Sequence, residues 1–321
     1  MTKLRASVVI PVKNGGPAFK RVIKAVLEQS TPWPFEVLVI DSGSSDGSDV
    51  YCETLPGVRL HKIEPREFGH GKTRNLGAAM TSGEFIVMIT HDALPADTLW
   101  LQNLVEACDQ APDIAGAFGR HLPYPDALPI VARDLNRHFD HFRAHDPVAR
   151  LDDAARYEND EAYRQFLHFF SDNNACIRRA VWESFPYPDV DFAEDQIWAK
   201  EIIEARYAKA YVDNARVFHS HNYKTVELLR RSFDESSALK RLFGYRLCPR
   251  LVDVGRRTWV HGKDDLSYLR GIGIEEHTLR LTASVFLRNF ARFSGHYLGG
   301  LNRLPYFLRK RISLDHALKR A

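Results

Sequence analysis

Over the first 120 positions the apolar residues fall into short unbroken runs, separated by stretches with helical spacing. "ASVVIPV" (6–12) is apolar and β-branched without alternation. That is the pattern of a strand buried on both faces of a sheet. "NGGP" ends the run, and "AFKRVIKAVLEQS" follows with Phe19, Val22, Ile23, Val26 and Leu27 on one helical face. "PFEVLVID" (34–41), "VRLHKI" (58–63) and "EFIVMIT" (84–90) predict three further strands. "SGSSDGS" reads as a turn and helix start. "GHGKTRNLGAAMTSG" (69–83) reads as a glycine-flanked loop leading into a short helix, and "PADTLWLQNLVEACDQ" as a helix. Strands alternating with helices imply right-handed crossovers and a mostly parallel sheet.

After "IAGAFGRHLP" (114–123) the periodicity weakens. Residues 124–168 are rich in His, Asp and Arg, and within them "HFDHFRAH" (138–145) places His138 and His141 one helical turn apart. No matching Cys or Glu constellation accompanies them, so this stretch reads as part of a mobile loop rather than a zinc site. "NNACIRRAVWESF" and "EDQIWAKEIIEARY" restore a strand-helix and a helix pattern, and "AYVDNARVFHSH" predicts a strand ending in a histidine pair. From about residue 225 the chain reads as helical.

Composition narrows the class. With 321 residues and 45% hydrophobic content the chain can bury one large α/β domain with an appended lobe. A formal charge of +3 gives no polyanion-binding signature, so nucleic acid is not an expected partner. Cys52, Cys108, Cys176 and Cys248 are too scattered to form a ligand pair and read as reduced thiols of a cytoplasmic protein. The N-terminal stretch lacks a signal-peptide pattern, and no run of about 18 apolar residues spans a bilayer.

Ligands of such sheets bind beyond the carboxyl ends of the strands. Asn14, Asp41 and Asp92 all fall just past such ends. The Asp92 segment, "THDALP", has two readings: a turn cap or a metal ligand. A carboxylate after the second strand can accept from a base N–H or a ribose hydroxyl, or cap the next helix, a task that Ser42, Ser44 or Asp46 could also serve. In "HSH" (219–221) two imidazoles at i and i+2 point the same way on a strand, as ligands or as hydrogen-bonded core groups.

The order of four stretches, "SVVIPVKNGG", "VLVIDSGSSDGS", "KTRNLGAAMTSGEFIVMITHDALP" and "AEDQIWAKEI", resembles family 2 glycosyltransferases of the nucleotide-sugar-binding GT-A fold, over roughly residues 6–235. Within that family, "EFGHGKTRNLGA", "DNNACIRRAVW", "EDQIWA" and "VFHSHNY" look most like bacterial rhamnosyltransferases. The resemblance implies a GT-A-like α/β domain whose nucleotide-sugar half covers 1–123 and acceptor half 124–235, followed by a helical region over 236–321. It implies nucleotide-sugar contact for Pro11, Asn14, Asp41, Ser42, Arg74, Asn75 and His91, with Lys72 and His70 as solvated or loop-ordering alternatives. The family carries Asp-x-Asp where this chain has Thr90 and Asp92. Asp92 is thereby the expected ligand of Mg²⁺ or Mn²⁺, with His219 completing the shell and His91 beside it or exposed. Asp195 is the expected general base, with Glu194 orienting or substituting for it. Acidic residues in a first helical turn are otherwise commonplace.

These expectations describe an inverting transfer from dTDP-L-rhamnose onto a surface glycan or a polyprenyl-diphosphate-linked glycan. A UDP- or GDP-sugar donor is the alternative within the same fold, and a non-catalytic nucleotide-sugar-binding scaffold is the alternative outside it. A membrane-embedded synthase is disfavoured, since neither spanning helices nor a Gln-x-x-Arg-Trp motif occurs. A dinucleotide oxidoreductase fails because "VKNGGP" is not a Gly-x-Gly-x-x-Gly turn. The basic, aromatic "RLPYFLRKRISL" (303–314) fits peripheral contact with the inner face of a membrane, or a helix packed on the domain or on a homodimer partner.

Overall fold

The computed structural model describes residues 4–190, 192–274, 279–302 and 304–314. The chain divides into two compact units, one of residues 1–126 and 134–220, the other of 127–133 and 221–321. The first contains β1 (Ala6–Val12), α1 (Gly16–Leu27), β2 (Phe35–Asp41), α2 (Ser48–Glu53), β3 (Val58–Lys62), α3 (His70–Ala79) and β4 (Phe85–Ile89). It continues through β5 (Leu94–Pro95), α4 (Trp100–Asp109), β6 (Ile114–Leu122), α5 (Pro129–Arg143), β7 (Val148–Ala149), α6 (Ala154–Asn159) and α7 (Glu161–His168). It closes with β8 (Asn174–Arg178), α8 (Arg179–Trp182), α9 (Glu194–Glu204) and β9 (Ala208–Phe218). The opening turns of α5 count with the second unit. That unit holds α10 (Thr225–Phe243), α11 (Leu251–Gly271), α12 (Leu279–Gly299) and α13 (Tyr306–Ile312).

The sheet runs β3-β2-β1-β4-β8-β6-β9-β5, with β7 also paired to β9. β1 is parallel to β2 and β4, β2 to β3, and β6 to β9. β8 is antiparallel to both its neighbours, β4 and β6. Six strands therefore point their C-terminal ends at one rim, and β8 begins there. Side chains alternate across the strands. Val8, Ile10, Phe85 and Val87 pack with Phe19, Ile23, Trp100 and Leu104 of α1 and α4. Val9, Ile86 and Met88 face the other way, with Ala78 of α3 and Trp198 and Ile202 of α9. Burial on both faces is why these strands read as unbroken apolar runs.

Three local readings change. Pro95 lies in the two-residue edge strand β5 against Val217 rather than in a helix, and α4 starts only at Trp100. A proline lacks the N–H that an interior strand would need, and an edge tolerates it. The helix of the 69–83 segment begins at once, at His70. "HFDHFRAH" belongs largely to α5 and is ordered helix, not loop. Phe139 and Phe142 are buried, while His141 stacks edge-on with His145 and Phe166. The many polar residues on its other face hide the apolar stripe.

One buried amide locks the rim. Between Gly119/Val212 and Arg120/Arg216 the β6–β9 pairing shifts register. Asn174 fills that irregularity: Nδ2 donates to Ala215 O at 2.9 Å and Arg120 O at 3.3 Å, and Oδ1 accepts from Trp100 Nε1 at 2.7 Å. A single residue of β8 thus ties β6, β9 and α4.

In the second unit α12 packs on both α10 and α11. Gly295 and Gly299 permit the α10 crossing, since a Cβ at either would fall 2.3–2.4 Å from Leu229 O or Phe233 O. Buried Asp265 of α11 accepts from Arg133 and from Asn289 of α12. α13 rests on α10, with Leu314 N donating to Asp234 at 2.7 Å. That is the packed alternative for the described part of 303–314. Residues 303 and 315–321 lie outside the described residues. Among the described residues, no helix is long and apolar enough to cross a membrane. The four cysteines are buried and unpaired.

Asn174→Leu should lower the unfolding free energy by about 3 kcal/mol or more, because three buried partners are left unsatisfied. Urea unfolding measures it, and a loss below about 1 kcal/mol would show that the amide does not hold the strands.

Candidate active site

The rim carries three groups of polar side chains, all in the first unit. The first laces the β1–α1 and β2–α2 loops. Asn14, in the left-handed region at φ 49°, donates its N–H to Ser44 Oγ, and its Oδ1 accepts from Ser45 N at 2.8 Å. Gly16 N donates to Asp46 Oδ2 at 2.8 Å, and Ser48 N to Asp46 Oδ1 at 3.0 Å. Hydrogen bonds led by that with Ser48 hold Asp46 below the usual carboxylate range. Ser42 Oγ donates to Val12 O, and Pro11 is buried in β1 opposite Ile40. Asp41 is 2% exposed. Its Oδ1 caps the turn, accepting from Gly43 N and Ser44 N at 2.9 Å each, while its Oδ2 has no hydrogen-bond partner among the described residues. Turn capping therefore engages only one oxygen of the side chain.

The second group follows β4. Asp92 Oδ1 lies 3.7 Å from His219 Nε2, just past β9. Tyr124 links the two turns: its hydroxyl donates to Asp92 O at 3.0 Å, and its N–H donates to Ser220 Oγ at 2.9 Å. The ring of His121 meets that of His219 edge-on at 5.1 Å. The Asp92 and His219 side chains are 27% and 14% exposed. One carboxylate and one imidazole so placed fit a divalent cation. His91 is half-buried beside Asp92, and the Thr90 hydroxyl is buried without a hydrogen-bond partner among the described residues. His221 opens the second unit, where it stacks on Tyr223.

The third group is buried. Arg74 of α3 is 4% exposed; its Nε lies 2.8 Å from Asp172 Oδ2 and its Nη1 2.9 Å from Glu194 Oε1. Asp172 N donates to Asp195 Oδ2 at 3.3 Å. Glu194 and Asp195 open α9 after Ala193, which sits at φ 59°. Glu194 is buried and Asp195 keeps a partly exposed edge. One guanidinium thus faces three carboxylates. Burial raises Asp172 to about 7, with Arg74 pulling it down and Glu194 adding to the rise. Burial, then Asp172 and Glu194, push Asp195 well above the ordinary carboxylate range, with Arg74 opposing. The buried Tyr187 hydroxyl, raised by burial and then by Asp172, has no hydrogen-bond partner among the described residues.

Asp41, Asp92, His219, Glu194 and Asp195 all lie along the rim. Asn75 is engaged elsewhere: its amide donates to Tyr187 O and accepts from Trp182 Nε1 and Tyr187 N, all within 3.0 Å. Lys72 is exposed. Sequence reasoning assigned nothing to Asp172, Tyr124 or Tyr187. Asp172 had a usable signal: it precedes a strand, and an antiparallel strand starts at the rim where its parallel neighbours end.

The raised carboxyls set a sign for stability. A carboxyl whose folded value exceeds its unfolded value of 3.8 stabilises the fold fully below 3.8 and loses that contribution as pH rises through about 7. The melting temperature should therefore fall by a few degrees between pH 6 and 8.5. In Asp172→Asn the fall should be shallower. Calorimetry across that range checks it, and parallel pH profiles for the two proteins would contradict it.

The chain is 34% identical over 235 residues to an O-antigen chain rhamnosyltransferase of Salmonella typhimurium, covering 72% of this chain and 71% of that one. It is 29% identical over 233 residues to an O-antigen chain rhamnosyltransferase of Salmonella anatum, covering 71% and 70%. The fold matches that of a mannosyltransferase from Pyrobaculum calidifontis solved with GDP-Man and Mn²⁺, at a TM-score of 0.58 and 16% identity, covering 91% of this chain and 87% of that one. The family profile described as "Glycosyl transferase family 2" matches residues 7–183. The protein is a glycosyltransferase, and the chain belongs to family 2.

Proposed function

We propose that the protein transfers L-rhamnose from dTDP-L-rhamnose to a hydroxyl of a bacterial surface glycan, with inversion at the anomeric carbon. The observation that carries the transfer is the arginine–carboxylate cluster on the same rim as the Asp92–His219 pair. The donor and acceptor classes rest on the relatives named O-antigen chain rhamnosyltransferases. A polyprenyl-diphosphate-linked glycan is the acceptor this reading favours.

Asp41 Oδ2, buried and unpartnered, accepts from the nucleotide. Asn14 and Ser42 shape its loop, and Pro11 backs it. Asp92 and His219 hold the divalent ion. A carboxylate oxygen with an imidazole suits Mn²⁺ better than Mg²⁺, which takes oxygen ligands. When bound, the ion neutralises charge on the diphosphate. Asp195 takes the proton of the acceptor hydroxyl. The hydroxyl oxygen forms a bond to the anomeric carbon, the bond from that carbon to the diphosphate breaks, and its electron pair leaves with the nucleoside diphosphate. Glu194 is occupied by Arg74, which leaves Asp195 as the base of the pair. Arg74 and Asn75 act from behind, the first orienting the carboxylates and the second fixing α3 to the Tyr187 segment.

The test is a calorimetric titration with dTDP-L-rhamnose, UDP-glucose and GDP-mannose, each with and without Mn²⁺. Selective, metal-dependent binding of the dTDP-sugar is expected. Asp92→Asn should abolish the metal dependence. Asp195→Asn should keep donor affinity and lower turnover by roughly 10²–10⁴-fold. Equal binding without metal would make Asp92 a turn cap, and binding of a UDP- or GDP-sugar instead would replace the donor. Donor binding with no turnover on any glycan acceptor would favour a binding protein.

A further inference from the structure

We infer that the outward face of α11 docks on an anionic lipid surface and seats a lipid phosphate in a cleft at the start of that helix. The cleft has a volume of about 310 Å³, and its charged lining is Arg250, Asp253, Arg256, Arg257 and His261. Asp253 is taken by Arg250, through contacts of 3.0 and 2.9 Å. Arg256 and Arg257 form no ion pair among the described residues. Two uncommitted guanidinium groups and an imidazole in one concavity are suited to a phosphate.

The same face carries apolar groups that a merely solvated helix would not show. Val252, Trp259 and Val260 are 68%, 62% and 55% exposed. With Arg256 and Lys263 they fall at i, i+4, i+7, i+8 and i+11, one stripe of the helix. Trp259 lies 5.7 Å from Phe286 of α12 and has Lys263 Nζ 5.8 Å from its ring centroid. An aromatic ring and aliphatic side chains interleaved with cations match the headgroup boundary of an anionic bilayer. A second copy of the chain fits less well, because a twofold interface sets a patch against itself and would bring arginine against arginine.

The assay contains no sugar nucleotide, so its outcome is separate from the donor reading. The full chain is sedimented with phosphatidylcholine vesicles with and without phosphatidylglycerol. Binding is expected only with phosphatidylglycerol and should be reversed by salt. Tryptophan emission of the wild-type protein should shift to the blue and be partly quenched by brominated acyl chains, one of its five tryptophans being at the bilayer. R256Q/R257Q should weaken binding roughly thirtyfold, about fivefold per cation. W259S should abolish the spectral shift. No binding, equal binding to neutral vesicles, or wild-type affinity in the double variant overturns the inference. So does a melting shift with inorganic phosphate that the double variant lacks, if vesicles do not bind, since the cleft would then serve a soluble anion. Self-association abolished by W259S also overturns it and gives the face to a second copy.

Discussion

A buried guanidinium that must stay paired governs how α3, α9 and the start of β8 meet at the rim. Arg74 comes from α3 and Glu194 from the start of α9, 120 residues away; Asp172 comes from the segment before β8. A buried charge stripped of its partner costs about 3–5 kcal/mol. α9 therefore cannot slide along the sheet without stranding Arg74, and the end of α9 that carries Asp195 is held with it. Three acids around one base also leave an excess of negative charge. The upward shifts of Asp172 and Asp195 follow from that excess together with burial, and they put a carboxyl of raised proton affinity beside the rim.

The remaining groups reach the same rim by the geometry of parallel strands. β1, β2, β4 and β9 end there, so the short segments after them must turn, and their polar side chains meet. Tyr124 and the Asn14–Ser45 contacts convert loops that would otherwise be free into a laced floor. β8 supplies Asp172 from the opposite chain direction, and Asn174, two residues on, binds the irregular β6–β9 pairing. Site and sheet thus share one short segment.

Much of this architecture was readable from local pattern. β1, β2 and β4 are apolar runs closed by turn residues, β3 and β9 carry weaker strand patterns, and Asp41, Asp92 and the Glu194–Asp195 pair stand at strand ends or at a helix start. What local pattern does not encode is partnership across long chain separations. Arg74 reads locally as a nucleotide-sugar contact, and nothing near it in sequence announces that Asp172 and Glu194 meet its charge. Asp172 sits in "SDNNACI", which reads as an ordinary turn. α5 escaped because Asp, Arg and His crowd around Phe139 and Phe142, and its buried face is defined only by the sheet it meets. The reversed course of β8 was equally hidden, since a buried strand looks the same in either direction.

That reversed strand has a consequence for synthesis. β4, "FIVMI", has β1 on one side as soon as it emerges, but its other neighbour, β8, lies about 85 residues downstream. At ribosomal rates of about 5–20 residues per second, its second edge stays open for roughly 4–17 s. Nothing within the strand guards that edge: it has no proline, no lysine and no charge. The nascent first half therefore carries an unguarded strand edge until β8 is made, the kind of edge that other chains can pair with.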